Sequence, residues 1–240
     1  MYKIGIDVGS TYTKYCVMEN NNIIELFTEK TPIHQKKYFD DKVSFFKSKY
    51  INPLFISCGY GKNNVDSIKT VNELTALAKG ANYVFKDSNV VLDIGGQDTK
   101  VITNENGVLK DFFINDRCAA GSGMFFENSC SLLGIKPDSL NLDSEPNIKI
   151  SSLCAVFAQS EITQLIANNI PESEIIKAVI WQTITKTKPL VDKTRSDVVL
   201  ISGGFSTIKG IGKYFNAILN RDCVVLNISQ YLSAIGCCLL

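Results

Sequence analysis

The feature that most constrains this chain is a repeated octapeptide. Residues 7–14 read Asp-Val-Gly-Ser-Thr-Tyr-Thr-Lys and residues 93–100 read Asp-Ile-Gly-Gly-Gln-Asp-Thr-Lys, with Asp, Gly, Thr and Lys at the same offsets. Self-similarity of this kind marks a duplicated structural unit. Each copy follows an apolar run, Ile4, Ile6 and Val8 in the first and Val90, Val91 and Leu92 in the second, so each Asp is expected near a strand end. Both copies then return to apolar residues and pass an Asn-rich turn, 19–22 or 104–107, into a third apolar stretch. Asn and Gly tolerate positive φ and reverse a chain tightly. The pattern predicts two similar three-stranded meanders. At their tips, glycine lets backbone N–H groups approach an anion, hydroxyls add donors, and Asp holds a hard cation through water. Two such tips suit a polyphosphate with its Mg²⁺. The plain alternative is two ordinary hairpins whose glycines serve only the turns; duplication of the whole pattern favours the ligand.

Charge and cysteine content narrow the function classes. The 240 residues carry 25 Lys+Arg against 24 Asp+Glu. No basic run provides the clustered charge that nucleic acid requires. No stretch of about 18 apolar residues occurs, and the start lacks an apolar segment followed by a small-residue cleavage site. A cytoplasmic protein with neither nucleic acid nor membrane as partner is expected. Eight cysteines are too sparse for a disulfide scaffold and are expected to be thiols, metal ligands or catalytic groups. Cys16, Cys58, Cys130, Cys223, Cys237 and Cys238 fall in apolar runs and read as core. Cys118 and Cys154 stand at or just before expected helix N-termini, where the macrodipole favours added negative charge.

Elsewhere, helices are expected over 36–50 and 72–85, and a strand over 54–57. The loop Gly59-Tyr60-Gly61-Lys62 lacks the spacer of a P-loop and reads as a surface turn. A long helix from Pro171 carries an inward Ile/Val stripe and is expected to kink or end at Pro189. The strand 198–201 runs into Ser202-Gly203-Gly204-Phe205 and a further helix, a crevice in which a nucleoside can lie on backbone. A last strand over 223–226 and a closing helix over 229–240 follow. His34 has no ligand spacing around it, and Ser122 lacks the spacing of a nucleophile elbow.

These motifs resemble those of a known superfamily. Asp7-Val8-Gly9-Ser10-Thr11, Asp93-Ile94-Gly95-Gly96 and Gly203-Gly204 look like the two phosphate motifs and the adenosine motif of the acetate and sugar kinase, Hsc70 and actin superfamily. Three strings narrow this further: residues 93–98, residues 115–123 around Cys118, and residues 154–161 from Cys154. They resemble the activators of 2-hydroxyacyl-CoA dehydratases, relatives of the ATP-binding subunits of benzoyl-CoA reductase, and the similarity runs from residue 1 to 240.

The resemblance implies an α/β chain of two ribonuclease-H-like halves in an actin-like ATPase fold, with a nucleotide cleft between them. Residues 1–83 with 228–240 would form the first half and 84–227 the second. It also implies a homodimer with one [4Fe-4S] cluster held by Cys118 and Cys154 of both copies. A cubane usually takes four thiolates, so two ligands per chain require two chains. By the same resemblance ATP binding and hydrolysis to ADP drive a hinge between the halves. An electron from a donor such as ferredoxin or flavodoxin then passes singly to an iron-sulfur dehydratase. Asp7 and Asp93 would hold Mg²⁺ through water, Gly9, Ser10, Thr11, Gly95 and Gly96 would contact phosphate, Gln97 would orient the attacking water, and Gly203 and Gly204 would face adenosine. Lys14 and Lys100 are expected only to stabilise the hairpin ends. The chain departs from the family at Met124, Gln159, Phe205-Ser206-Thr207 and the Cys237-Cys238 terminus, which bears on the adenine contacts and the partner surface.

Other functions remain open on these residues. A double-cubane or benzoyl-CoA type reductase is an alternative partner. A small-molecule kinase would need an acceptor pocket and a base, yet only 86 positions separate Asp7 from Asp93. A cluster-free nucleotide sensor or filament protein is the third class.

Overall fold

The first octapeptide lies where the computed structural model, which describes residues 1–87, 89–115, 121–152 and 154–240, turns from β1 (Tyr2–Val8) into β2 (Tyr12–Glu19). β3 (Asn22–Lys30) completes an antiparallel meander, reversed at Asn20 and Asn21, both with positive φ. There follow α1 (Gln35–Lys49), β4 (Leu54–Gly59), β5 (Lys69–Thr70) and α2 (Glu73–Val84). Asn72 caps α2, its side-chain oxygen accepting from the Leu74 and Thr75 amides, a stop signal for an otherwise extended approach. β4 and β5 add parallel to β1 in the order β3-β2-β1-β4-β5.

The second octapeptide opens the same arrangement. β6 (Val90–Ile94), β7 (Thr99–Glu105) and β8 (Val108–Asn115) are followed by α3 (Gly123–Leu133), α4 (Ala155–Ala167) and α5 (Glu172–Val191). Then come β9 (Val198–Gly203), α6 (Ile211–Leu219), β10 (Asp222–Val224) and α7 (Leu232–Cys238). The sheet order β8-β7-β6-β9-β10 matches the first sheet position for position. Residues Met1–Asn89, Ile102–Phe112 and Ile228–Leu240 form one compact unit, and Val90–Val101 with Phe113–Asn227 the other.

In the first unit β2 alternates with period two. Tyr15 and Val17 join Ile4, Ile6, Phe39, Phe46 and Phe55 on the α1 side, while Cys16 and Met18 pack on Ala234, Ile235 and Cys238 of α7. α2 and α7 cross at contact distance. A Cβ on Gly80 would lie 1.8 Å from the Leu232 carbonyl oxygen, and one on Gly236 would lie 1.8 Å from that of Ala76. In the second unit Leu92, Ile94, Val199 and Ile201 of the sheet are covered by Phe125, Phe126, Ile162, Ile176, Val179, Ile180 and Phe215 from α3 to α6. Burying such a face at roughly 25 cal/mol per Å² of apolar surface is the main source of its stability.

The long helix does not end at its proline. Pro189 lies inside α5, which continues to Val191. It falls in the last turn and has no N–H to donate back to the preceding turn, yet the helix runs on to Val191, which is buried in the core. The last strand is shorter than expected, and a 3-10 turn at Ser229–Tyr231 precedes α7. Among the described residues no helix is long and apolar enough to cross a membrane.

Candidate functional site

Asp7 is the penultimate residue of β1 and is buried, opposite Lys14 of β2 and Cys58 of β4. Its Oδ2 lies 3.5 Å from Lys14 Nζ, and its Oδ1 accepts from Cys58 Sγ at 3.6 Å. Both contacts are long, which leaves the carboxylate lone pairs available. Cys58 donates as a thiol: its Cys237 partner, then burial, pushes it well above its ordinary value. Beyond Asp7, residues Gly9, Ser10 and Thr11 are half-exposed. Thr31 fastens this turn, its Oγ1 donating to the Gly9 carbonyl at 2.8 Å and its N–H to that of Thr11 at 2.9 Å. The surface turn expected at Gly59–Lys62 also supports it, because the Gly61 N–H donates to the Val8 carbonyl at 3.2 Å.

The second turn keeps the plan and adds a charge. Asp93 lies opposite Ser202 on β9, and Lys100 Nζ is 3.9 Å from its Oδ2. The same ammonium is 2.8 Å from Asp98 Oδ1, and both Lys100 and Asp98 are buried. Asp98 also closes the turn, its carbonyl accepting the Gly95 N–H at 2.9 Å. Gly95 and Gly96 are half-exposed and Gln97 is exposed. The lysines thus do more than end the hairpins: Lys14 lies beside Asp7, and Lys100 pairs closely with Asp98 while staying within 3.9 Å of Asp93. Asp98 is a residue that motif reasoning missed. Its signal was present, since the first copy has Tyr12 at that offset.

The turn also starts a helix. The Gly123 and Met124 N–H groups of α3 donate to the Gly95 and Gly96 carbonyls at 2.8 and 2.9 Å, and Thr99 Oγ1 donates to the Gly121 carbonyl. Two of the four orphan amides at a helix start are satisfied by the phosphate-type turn itself. Met124, one of the departures, is exposed.

At the adenosine-type motif the two glycines differ. Gly203 has φ +84°, and a Cβ there would lie 2.2 Å from the Ile94 carbonyl oxygen, so this glycine serves the β6–β9 contact. Gly204 is exposed with open space at its Cα. Phe205, a departure expected to bear on adenine, is 2% exposed and packs on Phe126 with ring centroids 5.2 Å apart. It is a core residue.

The cysteines divide as expected wherever they are described. Cys16, Cys58, Cys130, Cys223, Cys237 and Cys238 are buried, and burial pushes the Cys130 and Cys223 thiols up to about 12. Cys154 is exposed at the N-cap of α4, and its side chain makes no capping hydrogen bond. Val156 and Phe157 beside it are 70% and 69% exposed. Cys118, the other expected ligand, lies outside the described residues. Gln159 and His34 are exposed.

The chain that carries this duplicated Asp-Gly turn on two sheets of identical strand order is matched over residues 4–240 by the model of an ATPase family. The chain belongs to the BadF/BadG/BcrA/BcrD ATPase family. The activator of lactoyl-CoA dehydratase from Anaerotignum propionicum is 31% identical over 252 residues, covering 100% of this chain and 96% of that protein. The uncharacterized protein MJ0004 of Methanocaldococcus jannaschii is 36% identical over 237 residues, covering 97% and 98%. The solved structure of the activator of 2-hydroxyisocaproyl-CoA dehydratase from Clostridium difficile with bound ADPNP matches with a TM-score of 0.91 at 28% identity, covering 100% of this chain and 93% of that one. This ATPase has the actin-like fold expected from the resemblance.

Proposed function

We propose that this ATPase is an activator that hydrolyses ATP and passes a single low-potential electron to a partner iron-sulfur enzyme, a 2-hydroxyacyl-CoA dehydratase. The observation that carries it is Cys154, exposed at the start of α4 in a chain whose six other described cysteines are all buried. A cluster-free kinase or nucleotide sensor has no use for such a thiol. The names of the relatives support the dehydratase as partner.

The residues suit the groups this function needs. Asp7 and Asp93 offer hard carboxylate oxygens of the kind Mg²⁺ takes, neither locked in a short ion pair. Cys154 offers a free thiol of the kind iron takes, with Cys118 as its companion and a second copy of the chain as the source of two more. When bound, Mg²⁺ neutralises phosphate charge and the [4Fe-4S] cluster supplies the one-electron couple. Gly9, Ser10, Thr11, Gly95 and Gly96 donate N–H and hydroxyl hydrogen bonds to phosphate oxygens. Gln97 orients the attacking water. Gly204 lies against adenosine. The Gly95 and Gly96 carbonyls hold the first two amides of α3, so a shift of the second turn moves that helix with it. The donor is a ferredoxin or flavodoxin, and the protein works in the cytoplasm.

Iron analysis of anaerobically purified protein tests this, with about four irons expected per two chains. Cys154→Ser and Cys118→Ser should each remove them. Full iron in both variants, or ATP hydrolysis that needs a small-molecule acceptor, overturns the proposal. Asp93→Asn is expected to slow acceptor-free hydrolysis by roughly 100-fold or more.

A further inference from the structure

The approach to Cys154 is held by one carboxylate. Glu161, two turns into α4, reaches back past the start of its own helix. Its Oε1 accepts the Ser151 N–H at 2.9 Å and Ser151 Oγ at 3.1 Å; its Oε2 accepts the Ser152 N–H at 3.0 Å and Ser152 Oγ at 2.7 Å. Two amides and two hydroxyls thus converge on one half-buried carboxylate. From the other side Gln182 of α5 donates its Nε2 to the Ser152 carbonyl at 3.3 Å. α5 is anchored through Val179, Ile180 and Ile184, all fully buried. The chain two residues before Cys154 is therefore clamped between two helices. Cys154 itself contributes no capping bond, so its place is set by its backbone.

We propose that Glu161 is the positioning residue for Cys154: by gathering the Ser151 and Ser152 donors it fixes where the thiol leaves the helix and so the geometry in which it ligates iron. This rests on Cys154 being a cluster ligand, as put forward above. The chemistry calls for a carboxylate. Hydrogen bonds to an ionised acceptor are stronger than neutral ones, and two oxygens can take four donors. An amide offers one oxygen and turns an NH₂ group toward two of those donors, so glutamine cannot replace it. Gln159, exposed two residues earlier, makes no such contact with the serines and does not substitute. Residues that orient metal ligands from behind typically contribute 10- to 100-fold in metal affinity.

The test uses the full-length protein, anaerobically loaded with iron, and follows its loss to a ferrous-iron chelator. Glu161→Gln and Glu161→Ala should load iron yet release it roughly 10- to 100-fold faster than the parent, with ADP affinity and thermal midpoint nearly unchanged. Ser152→Ala, which leaves α4 intact, should show a smaller acceleration and covers the case in which a Glu161 variant does not fold. Release at the parental rate from the Glu161 variants, while Cys154→Ser has lost its iron, overturns the proposal and leaves the ligand assignment standing. Full iron in Cys154→Ser overturns both. Faster release accompanied by an equal loss of ADP affinity marks a merely structural role and also overturns it.

Discussion

Lys100 has two carboxylates to choose from and sits closer to Asp98, at 2.8 Å, than to Asp93, at 3.9 Å. Asp98 holds the ammonium closer than Asp93 does, which suits the proposal that the Asp93 carboxylate takes Mg²⁺. Asp98→Asn should return Lys100 to Asp93 and raise the Mg²⁺ concentration for half-maximal ATP hydrolysis by about tenfold, in the range of one charge-assisted hydrogen bond. An unchanged Mg²⁺ requirement in a titration would refute this. The paired glycines give a second contrast at this scale. Gly203→Ala puts a side chain at positive φ and against backbone, and should destabilise by roughly 2 kcal/mol or more in denaturant unfolding. Gly204→Ala meets nothing and should leave stability alone while raising KM for ATP.

Among the elements, α2 and α7 depend on approach without side chains. Gly80→Ala or Gly236→Ala forces the helices apart and should cost about 1–3 kcal/mol, read as a lower midpoint in thermal unfolding. α5 organises the loop before α4 by charge. Glu174 accepts from the Asn147 N–H at 3.0 Å and Asn147 Nδ2 at 3.1 Å, and this backbone hydrogen bond, ahead of Lys177, holds its carboxyl below the ordinary 4.5. A carboxyl lowered in the folded state contributes stability that is fully present above the unfolded value and lost as pH falls through the folded one. Thermal midpoints measured downward from pH 6 should therefore drop below about 4.5, and Glu174→Gln should flatten that part of the profile.

For the whole molecule, each Asp-Gly turn is proposed to contribute to nucleotide binding, so a non-hydrolysable ATP analogue should stabilise the protein by linkage. At a hundred times Kd the gain is about 2.7 kcal/mol. Calorimetry should show it, and Asp7→Asn or Asp93→Asn should each diminish it. Much of this organisation was legible in the chain. The octapeptide repeat announced two meanders because strand periodicity and Asn turns are local signals, and six cysteines in apolar runs were found buried for the same reason. The Asp98 and Glu161 contacts were hidden. A motif names residue types at fixed offsets, whereas a serine pair seized by a glutamate nine and ten positions away depends on how a loop folds onto its helix.

By itself the sequence determined the two meanders, the placing of Asp7 and Asp93 at strand ends, and the six cysteines that fill the core. All of these follow from period-two burial and turn chemistry acting over a few residues. Tertiary structure alone decided that Phe205 fills the core rather than facing a ligand, that Gly203 answers to Ile94, and that Lys100 leans toward Asp98. Those outcomes are competitions for space or charge between groups on different elements, and they are resolved only when the elements pack.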